Sequence, residues 1–229
     1  MVRECIILAG GLGTRLRSTV PDLPKVMAPV AGKPFLHHIL SFLQSQGVNY
    51  FVFSLGYMHE VIQAYVTTSF PELDVAFSIE KEPLGTGGAI QLALQHVGGN
   101  NAIVVNGDTL YKADLQTVSS FHLKESAACT LTLKGMRNFN RYGVVEIDAS
   151  GKVISFKEKK QYEQGLINGG VYILDKRSLL HLNLPSKFSF EKDYLEQYIR
   201  EQKICGIRDD NYFIDIGIPE DFEKANQDL

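Results

Sequence analysis

The chain has few of the features that mark secreted, zinc-binding or membrane-spanning proteins. Its 229 residues include only three cysteines, and their odd number without a CxxC pair argues against a disulfide framework or a zinc site. Cys5, Cys129 and Cys205 lie in apolar stretches, so reduced thiols buried in strands are expected. No segment approaches the ~20 apolar residues of a membrane helix, and the apolar run at residues 5–9 is too short for a signal peptide. We therefore expect a cytoplasmic protein without a membrane partner.

The sequence also lacks a long run of like charge. The formal net charge is −3, and the one extended basic cluster, at residues 157–160, contains Glu158. A nucleic-acid-binding surface is therefore not expected, although a local phosphate site is compatible with this balance. Apolar residues make up 45% of the chain, which is enough for the core of one α/β domain over residues 1–229.

Two hydrophobic patterns divide the chain near residue 110. In the first half, predicted strands at residues 4–9, 50–55, 75–79 and 102–105 alternate with predicted helices at residues 35–46, 58–67 and 87–96. This alternation predicts a parallel sheet with helices on both faces.

The second half is richer in strands, which favours antiparallel or mixed pairing. Its predicted strands are residues 129–134, 143–147, 153–157, 170–174, 204–207 and 212–216. Its predicted helices are residues 190–201, with Ser189 as N-cap, and residues 219–225. Together the two halves predict an α/β fold with one mixed, mostly parallel central sheet, flanking helices and a small antiparallel lobe.

A glycine-rich segment follows the first predicted strand and reads LAGGLGTRLR from Leu8 to Arg17. In doubly wound folds such a strand delivers the chain to the sheet edge where ligands bind. Glycines there let backbone N–H groups approach a phosphate, and Arg15 and Lys25 would add the charge that a triphosphate needs. The Rossmann GxGxxG pattern fails at Leu16, and no P-loop pattern is present. Taken alone, the glycines are also compatible with a plain turn.

Together with the Pro24-Lys25 pair, this segment resembles the N-terminal motif of the sugar-1-phosphate nucleotidyltransferases, and the likeness continues along essentially the whole chain. The resemblance implies a Rossmann-like nucleotide-diphospho-sugar transferase fold, with a nucleotide-binding half at residues 1–110 and a sugar-phosphate-binding half at residues 111–229. It also implies that the glycine loop wraps the triphosphate while Arg15 and Lys25 stabilise its charge. The residues that it assigns to the nucleotide in this region are Leu8, Ala9, Gly10, Gly11, Gly13, Thr14, Arg15 and Lys25.

Two acidic residues fall in apolar, strand-like surroundings. Asp108 ends the NGD sequence that follows the strand at residues 102–105, and Asp215 lies in the sequence FIDIG. Mg²⁺ prefers one or two carboxylates together with phosphate oxygens and water. The alternatives are a turn residue at Asp108 and a capping or salt-bridged residue at Asp215. Since an NGD and a DIG aspartate hold the metal in the nucleotidyltransferases, the resemblance implies a Mg²⁺ site at Asp108 and Asp215.

The sequence EKEPLGTGGA begins at Glu80, directly after the strand at residues 75–79. In the nucleotidyltransferases the equivalent loop lies against the nucleobase, and its glycines would keep the backbone flat beneath the base. The resemblance therefore assigns Glu80, Gly85 and Thr86 to the nucleotide, together with Asn106. The ExEPLGT pattern is most similar to the mannose- and heptose-1-phosphate guanylyltransferases, and Glu80 would accept the N1–H and N2–H₂ groups of guanine. An exposed, salt-bridged Glu80 and a helix-capping Thr86 are the alternatives.

Short motifs in the second half resemble the YG, EK and NxG motifs of the same enzymes, in the same order. They assign the sugar phosphate to Gly143, Glu158, Lys159, Asn168 and Gly169. Asn168 and Gly169 are expected to begin the strand that covers residues 170–174.

The resemblance implies an enzyme that joins a nucleoside triphosphate, expected to be GTP, to a sugar 1-phosphate, expected to be a heptose, with release of pyrophosphate. Direct attack by the sugar phosphate needs no general base, so the six histidines are expected to have surface or packing roles. Arg15, Lys25, Asp108, Lys159 and Asp215 would position the phosphates and stabilise their charge. The alternatives are a mannose-1-phosphate guanylyltransferase, a hexosamine-1-phosphate uridylyltransferase and a catalytically silent nucleotide-sugar sensor. A homodimer that serves surface polysaccharide synthesis is also implied.

Overall fold

The chain alternates strands and helices up to residue 106 and is richer in strands after it. The structure is a computed structural model that describes residues 1–11 and 22–229. The strands in this part of the chain are β1 (Glu4–Leu8), β2 (Pro29–Val30), β3 (Lys33–Pro34), β4 (Tyr50–Leu55), β5 (Asp74–Ile79), β6 (Asn101–Asn106), β7 (Thr109–Tyr111), β8 (Cys129–Phe139), β9 (Val144–Ile147), β10 (Val153–Lys157), β11 (Tyr162–Asp175), β12 (Ile204–Arg208) and β13 (Phe213–Asp215). The α-helices are α1 (Phe35–Ser45), α2 (His59–Ser69), α3 (Gly85–Ala93), α4 (Leu115–Glu125), α5 (Lys176–Leu180), α6 (Glu196–Tyr198) and α7 (Pro219–Asp228). The remaining helical segments are 3₁₀ turns at Lys25–Met27 and Leu94–His96 and a π-helix at Phe190–Leu195.

Seven of the described strands form the central sheet, in the order β12-β8-β11-β6-β1-β4-β5. The strands β5, β4, β1 and β6 run parallel to one another. By contrast, β11 is antiparallel to both β6 and β8, while β12 is parallel to β8. The hairpin of β9 and β10 forms a separate antiparallel sheet. The predicted mixed, mostly parallel sheet, shared by both halves of the chain, is therefore confirmed.

Apolar side chains cover both faces of this sheet. Along β1, Cys5 and Ile7 point to one face and Ile6 points to the other, and all three are fully buried. The helices α1, α2, α4 and α7 contribute to the core on the Ile7 face, whereas α3, α5 and the π-helix contribute on the Ile6 face. The strands β1, β4 and β6 are buried on both faces, and the sequence of each contains a continuous apolar run rather than an alternating pattern, whereas the edge strand β5 is only partly buried.

The three cysteines lie in β1, β8 and β12, and all are buried and without a disulfide, as predicted. None of the helices in the described ranges is long and apolar enough to cross a membrane.

Helix α4 was not predicted from the sequence. Its start is well marked, because the side chain of Asp114 accepts hydrogen bonds from the backbone N–H groups of Gln116 and Thr117. Its buried face, however, contains Ser119 and His122 beside Leu115 and Val118. Two polar residues on the buried face break the apolar periodicity by which a helix is predicted.

Strand β11 is much longer than the predicted strand at residues 170–174. It begins at Tyr162, and its pairing with β8 shifts register between Asn168 and Tyr172. Asn168 and Gly169 therefore lie in the middle of a strand, and the prediction that they begin one is wrong. The glycines at 165, 169 and 170 interrupt the apolar pattern, although Gly165 pairs regularly with Met136 and the register shift accommodates Gly169 and Gly170.

The helix predicted at residues 190–201 is a π-helix followed by the short α6. The prediction that Ser189 is the N-cap is confirmed, since its hydroxyl accepts a hydrogen bond from the Lys192 N–H at 3.2 Å.

Candidate active site

A cavity of about 840 Å³ opens where the parallel strands β1, β4, β5 and β6 end. Its lining includes residues that directly follow each strand, such as Gly10 after β1, Gly56 after β4, Glu80 after β5 and Asp108 after β6. Parallel strands place their carboxyl ends at the same edge of the sheet, which is where open α/β folds bind ligands. The volume falls in the range of small-molecule and cofactor sites.

Most of the residues assigned to the nucleotide from the sequence line this cavity. They are Leu8, Ala9, Gly10, Gly11, Lys25, Glu80, Gly85, Thr86 and Asn106, and Asp108 lines it with them. Gly13, Thr14 and Arg15 lie outside the described residues. The other lining residues, which were not assigned to the nucleotide from the sequence, are Val26, Ser54, Gly56, Tyr57, Lys81, Glu82, Pro83, Ala89 and Gly217. Gly56 and Tyr57 follow a parallel strand, so the same rule that indicated Asp108 would have found them.

Asp108 and Asp215 are brought together by the short antiparallel pair β7–β13. Asp215 stands opposite Thr109 in this pair, and the Ile216 N–H donates to the Asp108 carbonyl oxygen at 3.0 Å. The Lys25 ammonium donates to Asp108 Oδ2 at 2.6 Å and lies 3.9 Å from Asp215 Oδ1. The side chain of Lys25 is 11% exposed and that of Asp215 is 18% exposed. A cation thus lies between two carboxylates beside the cavity, and of these Asp215 is largely buried whereas Asp108 is 36% exposed.

The backbone at Gly107 explains why Asp108 can stand there. The Gly107 N–H donates to the Leu8 carbonyl oxygen at 2.9 Å, which ties the end of β6 to the end of β1. A Cβ at position 107 would lie 2.6 Å from that oxygen and 2.8 Å from Val26 Cγ1. Glycine is therefore required by a close approach of two backbones, and the NGD sequence combines this requirement with a carboxylate.

Lys25 is held by the residues that follow it. Val26 and Met27 are buried in the core on the Ile7 face, and the Met27 N–H closes a turn to the Pro24 carbonyl at 2.8 Å. These contacts fix the start of the Lys25 side chain while its ammonium reaches the carboxylates.

The second oxygen of Asp215 contacts residues from the loop between β8 and β9. The Tyr142 hydroxyl donates to Asp215 Oδ2 at 3.2 Å, and Arg141 Nη2 donates to the same oxygen at 3.4 Å. Arg141 Nη1 also donates to Asp221. Burial, reinforced by the charge of Asp215, raises the pKa of Tyr142, so its hydroxyl stays protonated and donates. In the sequence, Arg141 and Tyr142 are marked only by their place directly before Gly143, so the contact with Asp215 was not predicted.

The donor set fits a divalent cation. Asp108, in the turn before β7, and Asp215, at the end of β13, supply neighbouring carboxylate oxygens. A hard cation such as Mg²⁺ needs only one or two carboxylates when phosphates and water complete its shell. Within residues 1–11 and 22–229, no cluster of three or more His, Cys, Asp or Glu side chains could hold a metal by itself. Asp215 is also salt-bridged, which was the alternative weighed for it.

Glu80 is half-buried at the cavity wall. Its Oε2 accepts a hydrogen bond from the Leu84 N–H at 2.9 Å, and its Oε1 would be 2.8 Å from a Cβ at Gly10. Burial raises the pKa of Glu80. It forms no ion pair with another described residue, so the alternative of an exposed, salt-bridged Glu80 is not observed. One carboxylate oxygen is fixed by the backbone, and the other lies beside the glycine-rich loop.

The glycines in the first turn of α3, at residues 85–88, accommodate another part of the chain. The Gly87 N–H donates to the Phe188 carbonyl at 3.0 Å, and a Cβ at Gly85 would lie 2.6 Å from that oxygen. The hydroxyl of Thr86 accepts a hydrogen bond from the Phe190 N–H at 3.0 Å. Thr86 therefore does not cap its own helix, and the glycines have a packing role in addition to the predicted role beneath a base.

The residues assigned to the sugar phosphate fall into two groups outside the cavity lining. The first group lies at the open end of the β9–β10 hairpin and consists of Gly143, Glu158 and Lys159. Gly143 precedes β9 and the other two follow β10, and the pairing of Val144 with Lys157 brings them together. Glu158 and Lys159 are exposed. Asn168 and Gly169 lie on β11.

Asn168 is held in a small hydrogen-bond network. Its side-chain amide donates to the Tyr172 hydroxyl at 2.8 Å and to Glu191 at 2.9 Å. Its carbonyl oxygen accepts from the Gly170 N–H at 3.1 Å.

Comparisons with known proteins agree on one family. A model of the nucleotidyl transferase family matches residues 4–229. A D-glycero-alpha-D-manno-heptose 1-phosphate guanylyltransferase from Aneurinibacillus thermoaerophilus is 48% identical over 226 residues, which are 99% of this chain and 98% of that protein. A protein of the same name from Campylobacter jejuni subsp. jejuni is 48% identical over 219 residues, 96% of each chain. The crystal structure of HddC from Yersinia pseudotuberculosis complexed with GMP-PN matches with a TM-score of 0.88 and 39% identity, covering 99% of both chains.

Proposed function

The chain belongs to the nucleotidyl transferase family, as its motifs predicted, and we propose that it transfers a guanylyl group from GTP to D-glycero-α-D-manno-heptose 1-phosphate, releasing pyrophosphate. The observation that carries this proposal is the cavity at the ends of the parallel strands, which is lined by Lys25 and Asp108 and has Asp215 beside Lys25. The choice of guanine and heptose is supported by the two relatives that are 48% identical over nearly the whole chain.

In this reaction an oxygen of the sugar phosphate attacks the α-phosphorus of GTP, and the bond to the pyrophosphate leaving group breaks. A phosphate monoester is largely a dianion at neutral pH, because its second pKa is about 6, so no side chain must remove a proton. The obstacle is the approach of two anions. Arg15 and Lys25 would stabilise charge on the triphosphate, while Lys159 would hold the attacking phosphate, so catalysis rests on positioning and electrostatics.

Asp108 and Asp215 would hold Mg²⁺. When bound, the ion supplies positive charge to the phosphate oxygens. The chain itself fixes where that charge would be placed, since the pairing of β7 with β13 sets Asp215 opposite Thr109, the residue after Asp108. Lys25 lies between them and is within reach of either carboxylate.

Glu80 would read the base. Its half-buried carboxylate can accept hydrogen bonds from the N1–H and N2–H₂ groups of guanine. Oε1, which lies beside Gly10, would accept one of them, and Oε2, which already accepts from the Leu84 N–H, has a second lone pair for the other. Inosine triphosphate lacks the N2 amino group and isolates this contact. We expect Glu80→Gln to reduce the preference for GTP over ITP roughly tenfold or more, since a hydrogen bond to a charged group contributes about 1.5–3 kcal/mol.

The measurement is kcat/KM for both triphosphates. Glu72→Gln, an exposed glutamate in the turn before β5, serves as the matched control. An unchanged GTP preference in Glu80→Gln, from folded protein, would assign base recognition to other groups.

The experiment that tests the function is pyrophosphate release with Mg²⁺ over a matrix of five nucleoside triphosphates and four sugar 1-phosphates: heptose, mannose, glucose and N-acetylglucosamine. We expect the strongest signal for GTP with the heptose, and none when the sugar phosphate is omitted. If another pair of substrates gives the highest rate, the proposed reaction class stands and the proposed nucleotide or sugar is wrong. Silence in every combination, from protein that is folded by circular dichroism, would favour a nucleotide-sugar sensor.

We also infer that the enzyme is a cytoplasmic homodimer. Light scattering of the purified protein tests the dimer, and cell fractionation of the tagged protein tests the location.

A further inference from the structure

The two oxygens of Asp215 have different surroundings. Oδ1 accepts the Gly217 N–H at 2.7 Å and lies 3.9 Å from the Lys25 ammonium, on the side of the cavity. Oδ2 faces the opposite way and accepts from Tyr142 and Arg141. The carboxylate is therefore held from behind by two donors while one oxygen stays directed toward Lys25.

Tyr142 is itself well fixed. Its ring packs edge-on against Phe213 with centroids 6.1 Å apart, and the Arg141 guanidinium lies 5.3 Å above the same ring. Phe213 is on β13, the strand that ends at Asp215. The ring and the hydroxyl of Tyr142 thus contact the same strand at two points, which restricts the side chain.

Arg141 joins three elements. One of its guanidinium nitrogens donates to Asp215 and another to Asp221 in the first turn of α7, while its backbone belongs to the loop before β9. The planar fork of arginine suits two carboxylates in fixed directions, which a lysine ammonium would not match. If Arg141 served only to tie the loop to α7, its ion pair with Asp221 would be sufficient. That role would not explain why the Tyr142 hydroxyl and Arg141 both donate to Oδ2 of Asp215.

We propose that Tyr142 and Arg141 are positioning residues that fix the rotamer of Asp215, so that its Oδ1 is presented to a divalent cation and the phosphates. This rests on the proposed function. Because Gly143 follows directly and was assigned to the sugar phosphate, one tripeptide would then contact both the acidic pair and the second substrate. Partners that orient a metal-binding side chain typically change metal affinity 10–100-fold when removed.

The test uses the full-length protein with Tyr142→Phe, which removes the hydroxyl and keeps the ring packing on Phe213. Mn²⁺ binding is measured by electron paramagnetic resonance in the presence of a non-hydrolysable GTP analogue, and steady-state kinetics are measured at rising Mg²⁺. We expect Mn²⁺ affinity to fall about tenfold or more. We also expect turnover to fall at low Mg²⁺ and to recover at high Mg²⁺, with little change in the KM for GTP at saturating Mg²⁺.

The matched control is Tyr212→Phe, which also removes a tyrosine hydroxyl that donates to a carboxylate, that of Asp228 at 3.0 Å. It should bind Mn²⁺ as the wild type does. In the Asp215→Asn background, Tyr142→Phe should have no further effect on Mn²⁺ affinity, because the two residues would act as one unit. Arg141→Lys should also weaken Mn²⁺ binding, and it provides the same test if Tyr142→Phe does not fold.

Wild-type Mn²⁺ affinity in both the Tyr142 and the Arg141 variants would overturn the inference while leaving the proposed function standing. Loss of Mn²⁺ affinity by the same factor in Tyr212→Phe would overturn it too, since the effect would then be general. If the wild-type protein neither binds Mn²⁺ with the analogue nor releases pyrophosphate, the proposed function itself fails.

Discussion

His122 lies on the buried face of α4 and is 2% exposed. Its Nδ1 is 2.9 Å from the hydroxyl of Thr130 on β8, and its Nε2 is 2.9 Å from the side-chain oxygen of Asn101 on β6. An amide oxygen can only accept, so Nε2 carries the proton and Nδ1 accepts from the threonine. The neutral imidazole is therefore fully hydrogen-bonded, and a second proton would add an uncompensated buried charge.

Burial lowers the pKa of His122 from 6.5 to about 4, although the charge of Asp175 opposes the change. Because the folded pKa is below the unfolded one, the unfolded chain binds more protons between these two values. The stabilisation is fully present above pH 6.5 and is lost as the pH falls toward 4. A pKa difference of this size corresponds to about 3 kcal/mol, a sizeable part of the 5–15 kcal/mol typical of folded proteins.

Urea denaturation of the wild type and of His122→Gln at several pH values from 7.5 to 4.5 measures this contribution. Glutamine can donate and accept in the same pocket but cannot take up a proton in this range. We expect the free energy of unfolding of the wild type to fall by up to about 3 kcal/mol more than that of the variant as the pH is lowered. Carboxylates titrate in both proteins and cancel in the comparison. Parallel pH profiles would refute the burial argument, whatever the stability difference at neutral pH.

Three further predictions concern the site and the core. Asp108→Asn should lower kcat about 10²-fold or more without changing the thermal unfolding midpoint much, and near-normal turnover would remove Asp108 from the site. Gly107→Ala should destabilise the protein by roughly 1–3 kcal/mol in urea, because its Cβ would collide with the Leu8 carbonyl, and an unchanged midpoint would contradict that close approach. Cys5 and Cys129 should react with Ellman's reagent only after unfolding, because burial excludes the reagent and raises the pKa of both thiols, so rapid labelling of the native protein would show that this core opens.

The nucleotide side of the cavity could be predicted because its information is local. Each contributing segment directly follows an apolar strand, as Gly10 follows β1, Glu80 follows β5 and Asp108 follows β6. Parallel strands must place those ends at one edge, so recognising the strands is enough to bring the segments together.

The approach of Asp215 to Asp108 could not be derived in this way. It depends on the pairing of β7 with β13, and each of these strands is only three residues long. Strands of that length carry almost no periodic signal, and β7 was not predicted at all. Asp215 was assigned to the metal site because its motif resembles that of the nucleotidyltransferases. The hydrophobic pattern of the chain did not predict that it lies beside Asp108.

The glycines at residues 85–88 show a second limit. A sequence indicates that a backbone position must stay free of a side chain, but it does not say which neighbour needs the space. Here Phe188 and Ser186 approach the first turn of α3 from about 100 residues further along the chain, and the Phe190 N–H donates to the Thr86 hydroxyl. The packing of this turn is therefore a tertiary property, set by residues with no sequence pattern that links them to it.

The charges around Lys25 indicate why binding of phosphorylated substrates at this site would require a further positive charge. Lys25 between Asp108 and Asp215 leaves one negative charge in excess, and Arg141 is shared with Asp221. These five described side chains therefore do not by themselves attract two phosphorylated substrates. Under the proposed function, a divalent cation held by Asp108 and Asp215 would reverse this balance, and the Lys25 ammonium would then be able to face a phosphate. The acidic pair would place positive charge where the phosphates meet, and Tyr142 and Arg141 would keep Asp215 in position.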